Sequence, residues 1–280
     1  MPALTSQRRG ALRLDRVVKA YTSGGASVLA VDGCSFDVAA GEICVVVGPS
    51  GCGKSTLLAA IAGFHGIDAG TIHLDDRVLC APGRQPEVGP DRVVVFQQGA
   101  LFPWKTNLEN VAFGPIVQKR VRRAQAFERA ATLLAEAGLA DALHAYPGEM
   151  SSGARRRVEI ARALMMDPAV LLLDEPYRAL DALTKSVMHE ALLEVHARRP
   201  VTVFFITHDL AEAVFLGDQV VIMTARPCRP KHVLRVDIPR PRTRAVLSTP
   251  RYEELVGEAA ALVSEEARQA FDAGDKEHWA

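Results

Sequence analysis

An α/β fold built on a parallel sheet is predicted by three observations. The strand-forming run Ile43-Cys44-Val45-Val46-Val47 leads through a glycine-rich turn into the apolar helical stretch 57–62. Two further runs, 170–173 and 201–206, are apolar throughout, as strands are when helices cover both faces of a parallel sheet. Both end in chemistry-bearing residues, Asp174-Glu175 and Thr207-His208-Asp209, and a helical stretch follows each.

Taken in order, residues 12–14, 28–31 and 34–38 read as short strands before Ala39-Ala40-Gly41-Glu42 turns the chain. Tyr21 is expected in a loop running into Thr22-Ser23-Gly24-Gly25, where an aromatic upstream of an anion-binding turn can stack on a purine. A helix is expected at 54–62 and strands at 71–75 and 93–96, separated by the Pro- and Gly-rich stretch 81–90; Gln97 follows directly. Residues 107–145 are helical by composition, with Gly138 a plausible stop, and this block set between strands reads as a subdomain of its own. The alternation then resumes: helix 155–166, strand 170–173, helix 182–198, strand 201–206, helix 210–215, strand 220–224, and a peripheral helix over 251–270.

The turn after the first apolar strand is Gly48-Pro49-Ser50-Gly51-Cys52-Gly53-Lys54-Ser55-Thr56. It satisfies the G-x-x-x-x-G-K-[ST] spacing in its strand–loop–helix setting. Glycines let backbone N–H groups wrap a polyphosphate without Cβ clashes, and the helix start presents further N–H groups and a positive dipole end. Lys54 is expected to reach the β- and γ-phosphates and Ser55 to bind Mg²⁺. Cys52 sits where a helix start favours a thiolate, although a tolerated small residue is the plainer reading. A nucleoside triphosphate is the ligand these residues fit.

Composition narrows the rest. The 280 residues are 49% hydrophobic and 24% charged, enough to bury a full core. Lys+Arg and Asp+Glu are equal at 33 each, so no global field points to nucleic acid. The charge is locally uneven. Arg226, Arg229, Lys231, Arg235, Arg240, Arg242 and Arg244 share the stretch 226–244 with one acid, Asp237, which reads as a solvated basic segment ahead of a lipid- or partner-binding one. Five cysteines form no zinc-like spacing and fit a reducing cytosol. The polar start of the chain does not resemble a signal peptide, and the apolar runs fall short of the ~18 residues that span a bilayer, so any membrane role is expected to pass through a partner.

Ligands in open α/β sheets bind beyond the carboxyl ends of the strands. Here three such ends carry the glycine-rich turn, Asp174-Glu175 and His208. Asp174 is expected in the Mg²⁺ shell, Glu175 as the carboxylate that polarises an attacking water, His208 on the γ-phosphate and Gln97 on the metal or that water.

With these residues in place the chain, over 10–240, resembles the nucleotide-binding subunit of an ATP-binding cassette (ABC) transporter. Tyr21 matches the adenine-stacking aromatic, Gly48 to Thr56 the Walker A loop, Gln97 the Q-loop, Ser151-Ser152-Gly153 the signature, 171–175 Walker B, Ala179-Leu180-Asp181 the D-loop and His208 the switch histidine. Leu101-Phe102-Pro103-Trp104-Lys105-Thr106 and Ile222-Met223-Thr224-Ala225-Arg226-Pro227 resemble the importers for nitrate, sulfonates and taurine.

The resemblance implies a P-loop ATPase core with a parallel sheet, an N-terminal antiparallel β subdomain and an inserted α-helical subdomain at about 101–155. It also implies an ABC ATPase domain over 10–240, a C-terminal helical tail at 241–280, and ATP with Mg²⁺ as cofactors. The implied partners are transmembrane permease subunits, a second ATPase subunit (a homodimer expected, a heterodimer the alternative) and, indirectly, a solute-binding protein. It further implies a peripheral position on the cytoplasmic face of the inner or plasma membrane. In the head-to-tail dimer each ATP would lie between one Walker A loop and the other subunit's Ser151 and Gly153.

Two stretches depart from the family. The signature reads Met150-Ser151-Ser152-Gly153-Ala154 in place of Leu-Ser-Gly-Gly-Gln, and Tyr177-Arg178 precedes the D-loop where Gly or Ser is common at the second position. A working but weakened composite site is therefore expected. An exporter subunit shares every core motif, and a weakly hydrolysing regulatory subunit is the other alternative. A small-molecule kinase would not need Ser151-Ser152-Gly153 or His208. A chromosome-structure ATPase would need a coiled coil between Gln97 and the signature.

Overall fold

A computed structural model of the chain describes residues 9–23 and 26–272. Residues 1–8 of the polar start, Gly24-Gly25 of the expected Tyr21 loop and residues 273–280 of the tail lie outside the described residues.

Numbered in chain order, β1 (Leu12–Ser23), β2 (Ala26–Val38), β4 (Ala69–Leu74) and β5 (Arg77–Cys80) form an antiparallel sheet in the order β2-β1-β4-β5. The second sheet joins β3 (Ile43–Val47), β6 (Arg92–Val95), β7 (Val170–Asp174), β8 (Thr202–Ile206), β9 (Gln219–Met223) and β10 (Pro230–Arg235) in the order β10-β9-β3-β8-β7-β6. It is parallel from β9 to β6, with β10 antiparallel at its edge. The helices are α1 (Lys54–Ala62), α2 (Asn107–Val117), α3 (Arg123–Glu136), α4 (Ser152–Leu164), α5 (Ala182–Arg198), α6 (Leu210–Leu216) and α7 (Pro250–Asp272). This is the P-loop α/β core, with its antiparallel sheet and inserted helices, that the residues predict.

The two-residue period of the strands splits the core in two. Ile43, Val45, Leu171, Leu173, Val203, Phe205, Val220 and Ile222 face a cluster that α2 to α7 close. Cys44, Val46, Val170, Leu172, Phe204, Ile206 and Val221 face the other, built from α1 and the antiparallel sheet. Because both faces are covered, the central strands are apolar apart from Thr202, Gln219 and Asp174 at their ends, and β3, β8 and β9 are buried throughout.

Four local expectations change. Tyr21 lies within β1, paired with Val28, and not in a loop. The two strands expected at 28–31 and 34–38 are one, β2, irregular in register where Val17 meets Cys34 and turned through Gly33 at φ 60°. The short edge strands β5 and β10 escape a hydrophobic-pattern reading because β5 is only four residues long and β10 opens with Pro230, Lys231 and His232, as edges tend to. Helix α4 starts at Ser152, before the expected 155, because the Ser151 hydroxyl accepts the Ala154 N–H at 3.2 Å and caps it.

The basic segment 226–244 is tied inward. Arg229 pairs with Asp32, Lys231 with Glu266 (2.9 Å), Arg235 with Glu42, Arg240 with Asp218 (2.8 Å) and Arg244 with Glu190 (3.2 Å). Arg242 is buried and donates to the carbonyls of Val214, Phe215 and Gly217 at the end of α6. These residues fasten β10 and the following chain to the core.

Candidate nucleotide site

The turn after β3 takes its shape from glycine. Gly51 stands at φ 71° and Gly53 at φ 125°, and a Cβ on Gly53 would lie 2.4 Å from the Ala30 carbonyl oxygen. Only glycine serves at Gly53. Gly53 also begins α1 without a side-chain cap, whereas Thr106, Ser151, Asp181 and Asp209 cap α2, α4, α5 and α6. The first N–H groups of α1 thus face the turn without a side-chain acceptor, which suits an anion.

Lys54 is buried, and its Nζ donates to the carbonyls of Gly48 (2.8 Å) and Pro49 (2.7 Å), so the ammonium already spans the turn. Cys52 packs inward beside it, its Sγ 3.7 Å from Nζ. A hydrogen bond with the Cys228 thiol lowers the Cys52 pKa, burial opposes this, and the Lys54 ammonium adds to the lowering. Pro49 and Ser50 lie on the outer turn, and Arg226 donates to the Gly51 carbonyl at 3.0 Å. Thr56, next to Ser55 on the first turn of α1, is half-buried.

The strand order places β8 beside β3 and β7 beside β8, so three neighbouring strand ends converge. Ser55 Oγ lies 3.2 Å from Asp174 Oδ1. Burial pushes the Asp174 carboxyl up, the Ser55 hydrogen bond counters this, and the neighbouring Glu175 charge reinforces it. Glu175 stands in the left-handed region at φ 43°, and its N–H donates to the Ile206 carbonyl at 3.0 Å, tying the end of β7 to β8. Arg178 Nη1 lies 3.1 Å and His208 Nδ1 3.5 Å from Glu175 Oε2.

Ser55 and Asp174 suit a hard cation. Both offer oxygen, and the poorly solvated Asp174 carboxylate gains from a positive charge. Among the described residues no three His, Cys, Asp or Glu side chains form a metal cage. Mg²⁺ does not need one, since it binds through one or two protein oxygens, water and substrate phosphates.

Gln97 leaves β6 with an exposed side chain that makes no hydrogen bond to Ser55 or Asp174 among the described residues. Its peptide is fixed instead: Arg156 of α4 donates to the Phe96 and Gln97 carbonyls, both at 2.7 Å, and pairs with Glu159 at 2.6 Å. Ser151 and Gly153 sit at the start of the same helix, and a Cβ on Gly153 would meet Thr184 Cγ2 at 2.5 Å. A cleft of about 440 Å³ separates this helix start from Gln97, Pro176 and Ala179. Among the described residues the Ser151 hydroxyl accepts the Ala154 N–H, and no hydrogen bond joins Ser151 or Gly153 to the turn from Gly48 to Thr56. Tyr21 presents a partly exposed ring whose hydroxyl meets His65 Nε2 at 3.1 Å, with Lys19 Nζ 5.5 Å from the ring centre.

A motif reading passes over Arg156 and Glu159, at which only the run of arginines in α4 hints, and it gives Arg178 and Arg226 no contact with Glu175 or Gly51.

Residues 31–178 match the ABC transporter family. The chain is 43% identical over 258 residues to the taurine import ATP-binding protein of Rhizobium johnstonii, covering 88% of this chain and 94% of that one. It is 41% identical over 254 residues to the nitrate import ATP-binding protein of Synechococcus elongatus, covering 89% and 90%. Its structure resembles that of an ATP-binding cassette solved as a post-hydrolysis dimer with ADP and Pi. The TM-score is 0.69 at 27% identity, covering 81% of this chain and all of that one.

Proposed function

The chain belongs to the ABC transporter family as an ATP-binding subunit with ATPase activity, and from that premise we propose that it drives uptake of a small solute of the nitrate, sulfonate or taurine class through partner permease subunits. The observation that carries the site assignment is the convergence of Lys54, Ser55, Asp174, Glu175 and His208 at three adjacent strand ends.

In this reading the turn from Gly48 to Thr56 wraps the phosphates with backbone N–H groups, and Lys54 exchanges its carbonyl partners for phosphate oxygens. Tyr21 stacks on the adenine. Ser55 and Asp174, with Gln97 brought in, would hold Mg²⁺, which when bound neutralises phosphate charge. Glu175 accepts a proton from the attacking water, and His208 steadies Glu175 and the γ-phosphate. Ser151 and Gly153 act on the nucleotide of a second subunit, since their own phosphate loop lies elsewhere.

We assign residues 10–240 to the ATPase domain, with the helical subdomain at about 101–155, and residues 241–280 to a C-terminal tail that is helical over α7. No described helix is long and apolar enough to cross a membrane. Attachment to the cytoplasmic face is therefore assigned to the permease, with a solute-binding protein delivering cargo from the other side.

Reconstitution of the chain with its permease in vesicles tests this. ATP-driven uptake of one of these anions or zwitterions, abolished by Glu175→Gln with ATP binding kept, is expected. Outward transport would overturn the import reading, and full turnover by Glu175→Gln would overturn the site.

A further inference from the structure

Arg178 stands three residues beyond Glu175, and the two side chains pair: Nη1 to Oε2 is 3.1 Å, closer than His208 Nδ1 at 3.5 Å on the same oxygen. The two ends of the pair differ. The Glu175 side chain is only 15% exposed and hangs from a backbone fixed by the hydrogen bond to Ile206, whereas the Arg178 side chain is 55% exposed. Tyr177, the intervening neighbour on the other side, is buried against Phe205 and His189 and anchors the backbone from which Arg178 projects. Asp181 closes the stretch by capping α5 through Thr184. Arg178 is thus a long, outward-facing arm on a rigid base, and it can leave Glu175 by rotating its side chain alone.

We propose that Arg178 is a latch on Glu175, holding the carboxylate out of action until the composite site is assembled. A carboxylate oxygen that accepts an N–H from a guanidinium at 3.1 Å has that lone pair occupied and its side chain held toward the partner. The same oxygen cannot then fully accept the proton of the attacking water. Arg178 sits directly ahead of Ala179 and Leu180, which line the cleft shared with the α4 start. Rearrangement of that cleft when a second subunit closes over it draws the arm away and frees Glu175 to work with His208. The device keeps ATP turnover low until the assembly is closed. It rests on Glu175 being the proton acceptor, and Arg178 acts through Glu175 as a positioning residue.

Steady-state ATP hydrolysis by the purified chain tests it. Arg178→Ala and Arg178→Ser are expected to raise basal kcat by about two- to fivefold, the scale of losing one partly exposed ion pair, with KM for ATP unchanged. Arg178→Lys keeps the charge and is expected to restore most of the restraint. Binding of a fluorescent ATP analogue confirms that each variant is folded. An unchanged or lowered kcat in both Arg178→Ala and Arg178→Ser, with Glu175→Gln inactive, overturns the latch and leaves the site reading standing. Turnover persisting in Glu175→Gln overturns both.

Discussion

The Ser55 hydroxyl lies 3.2 Å from Asp174 Oδ1, joining the first turn of α1 to the end of β7 across the strand between them. The contact brings the two oxygens proposed for Mg²⁺ together before nucleotide arrives. Asp174 has its charge disfavoured by burial, so the cation and the hydroxyl both stabilise the same anion. Ser55→Ala is expected to raise the Mg²⁺ concentration needed for half-maximal hydrolysis by about tenfold or more, since hydrogen bonds to charged groups contribute about 1.5–3 kcal/mol. Ser55→Thr keeps the hydroxyl and should behave as the parent. Equal Mg²⁺ titrations for parent and Ser55→Ala would remove Ser55 from the metal site.

Much of this arrangement is legible in the residues alone, for a physical reason. Backbone-shaped sites need fixed spacings, and Gly48 to Thr56 can be read because Gly53 admits no Cβ and Lys54 must follow it. Strands buried on both faces announce themselves as apolar runs, which is how the ends bearing Asp174 and His208 are found. The partners of Glu175 are a different matter. Arg178 projects from an irregular turn with no period, so nothing in the local pattern says that its side chain folds back three residues. Arg156, which fixes the Gln97 peptide from 59 positions away, depends on how α4 lies across β6. The edge strands β5 and β10 are invisible for the converse reason, since only pairing with β4 and β9 makes them strands.

Tyr177 is fully buried, and its hydroxyl has no hydrogen-bond partner among the described residues. Burial pushes its phenol pKa up. A buried polar group left unpaired costs about 1–3 kcal/mol, so Tyr177→Phe is expected to stabilise the fold by about 1 kcal/mol while keeping the ring contacts with Phe205. Urea unfolding followed by circular dichroism measures this. A lower midpoint for the variant would show that the hydroxyl has a partner in solution.

His196 is buried near the end of α5 and donates Nε2–H to the Gly41 carbonyl at 3.1 Å. Burial lowers its pKa, the Arg240 charge adds to this, and Asp218 and the carbonyls of Gly41 and Val201 oppose it. The unfolded chain therefore binds a proton at this position at a pH where the folded chain does not. Below the ordinary histidine value of about 6.5, stability is expected to fall as pH falls. His196→Gln, whose amide can reach the same carbonyl, removes that proton uptake. The gap in Tm between parent and variant should shift in the variant's favour from pH 7.5 to 5.5. Parallel curves would show that His196 titrates alike in both states.

The signature is where the proposed composite site is expected to be weakest. Ser151 keeps the hydroxyl that caps α4, and Gly153 is held to glycine by Thr184, so the two retained positions have structural reasons of their own. Ser152 is exposed at the first helical position and adds a Cβ where the family pattern has glycine, narrowing the approach to a partner's phosphates. Ala154 supplies no side-chain donor. Each change is expected to weaken the proposed clamp without touching the fold of the single chain. Ser152→Gly with Ala154→Gln, made together on Glu175→Gln to stop hydrolysis, is therefore expected to tighten ATP-dependent dimer formation. The expected gain is about two- to tenfold in the ATP concentration at half-dimer, the scale of one added hydrogen bond. Sedimentation velocity across an ATP series reads this directly. ATP binding to the monomer should stay the same, because the altered residues lie away from the chain's own phosphate loop. A dimer no tighter than the Glu175→Gln parent would mean that Ser152 and Ala154 do not limit the clamp.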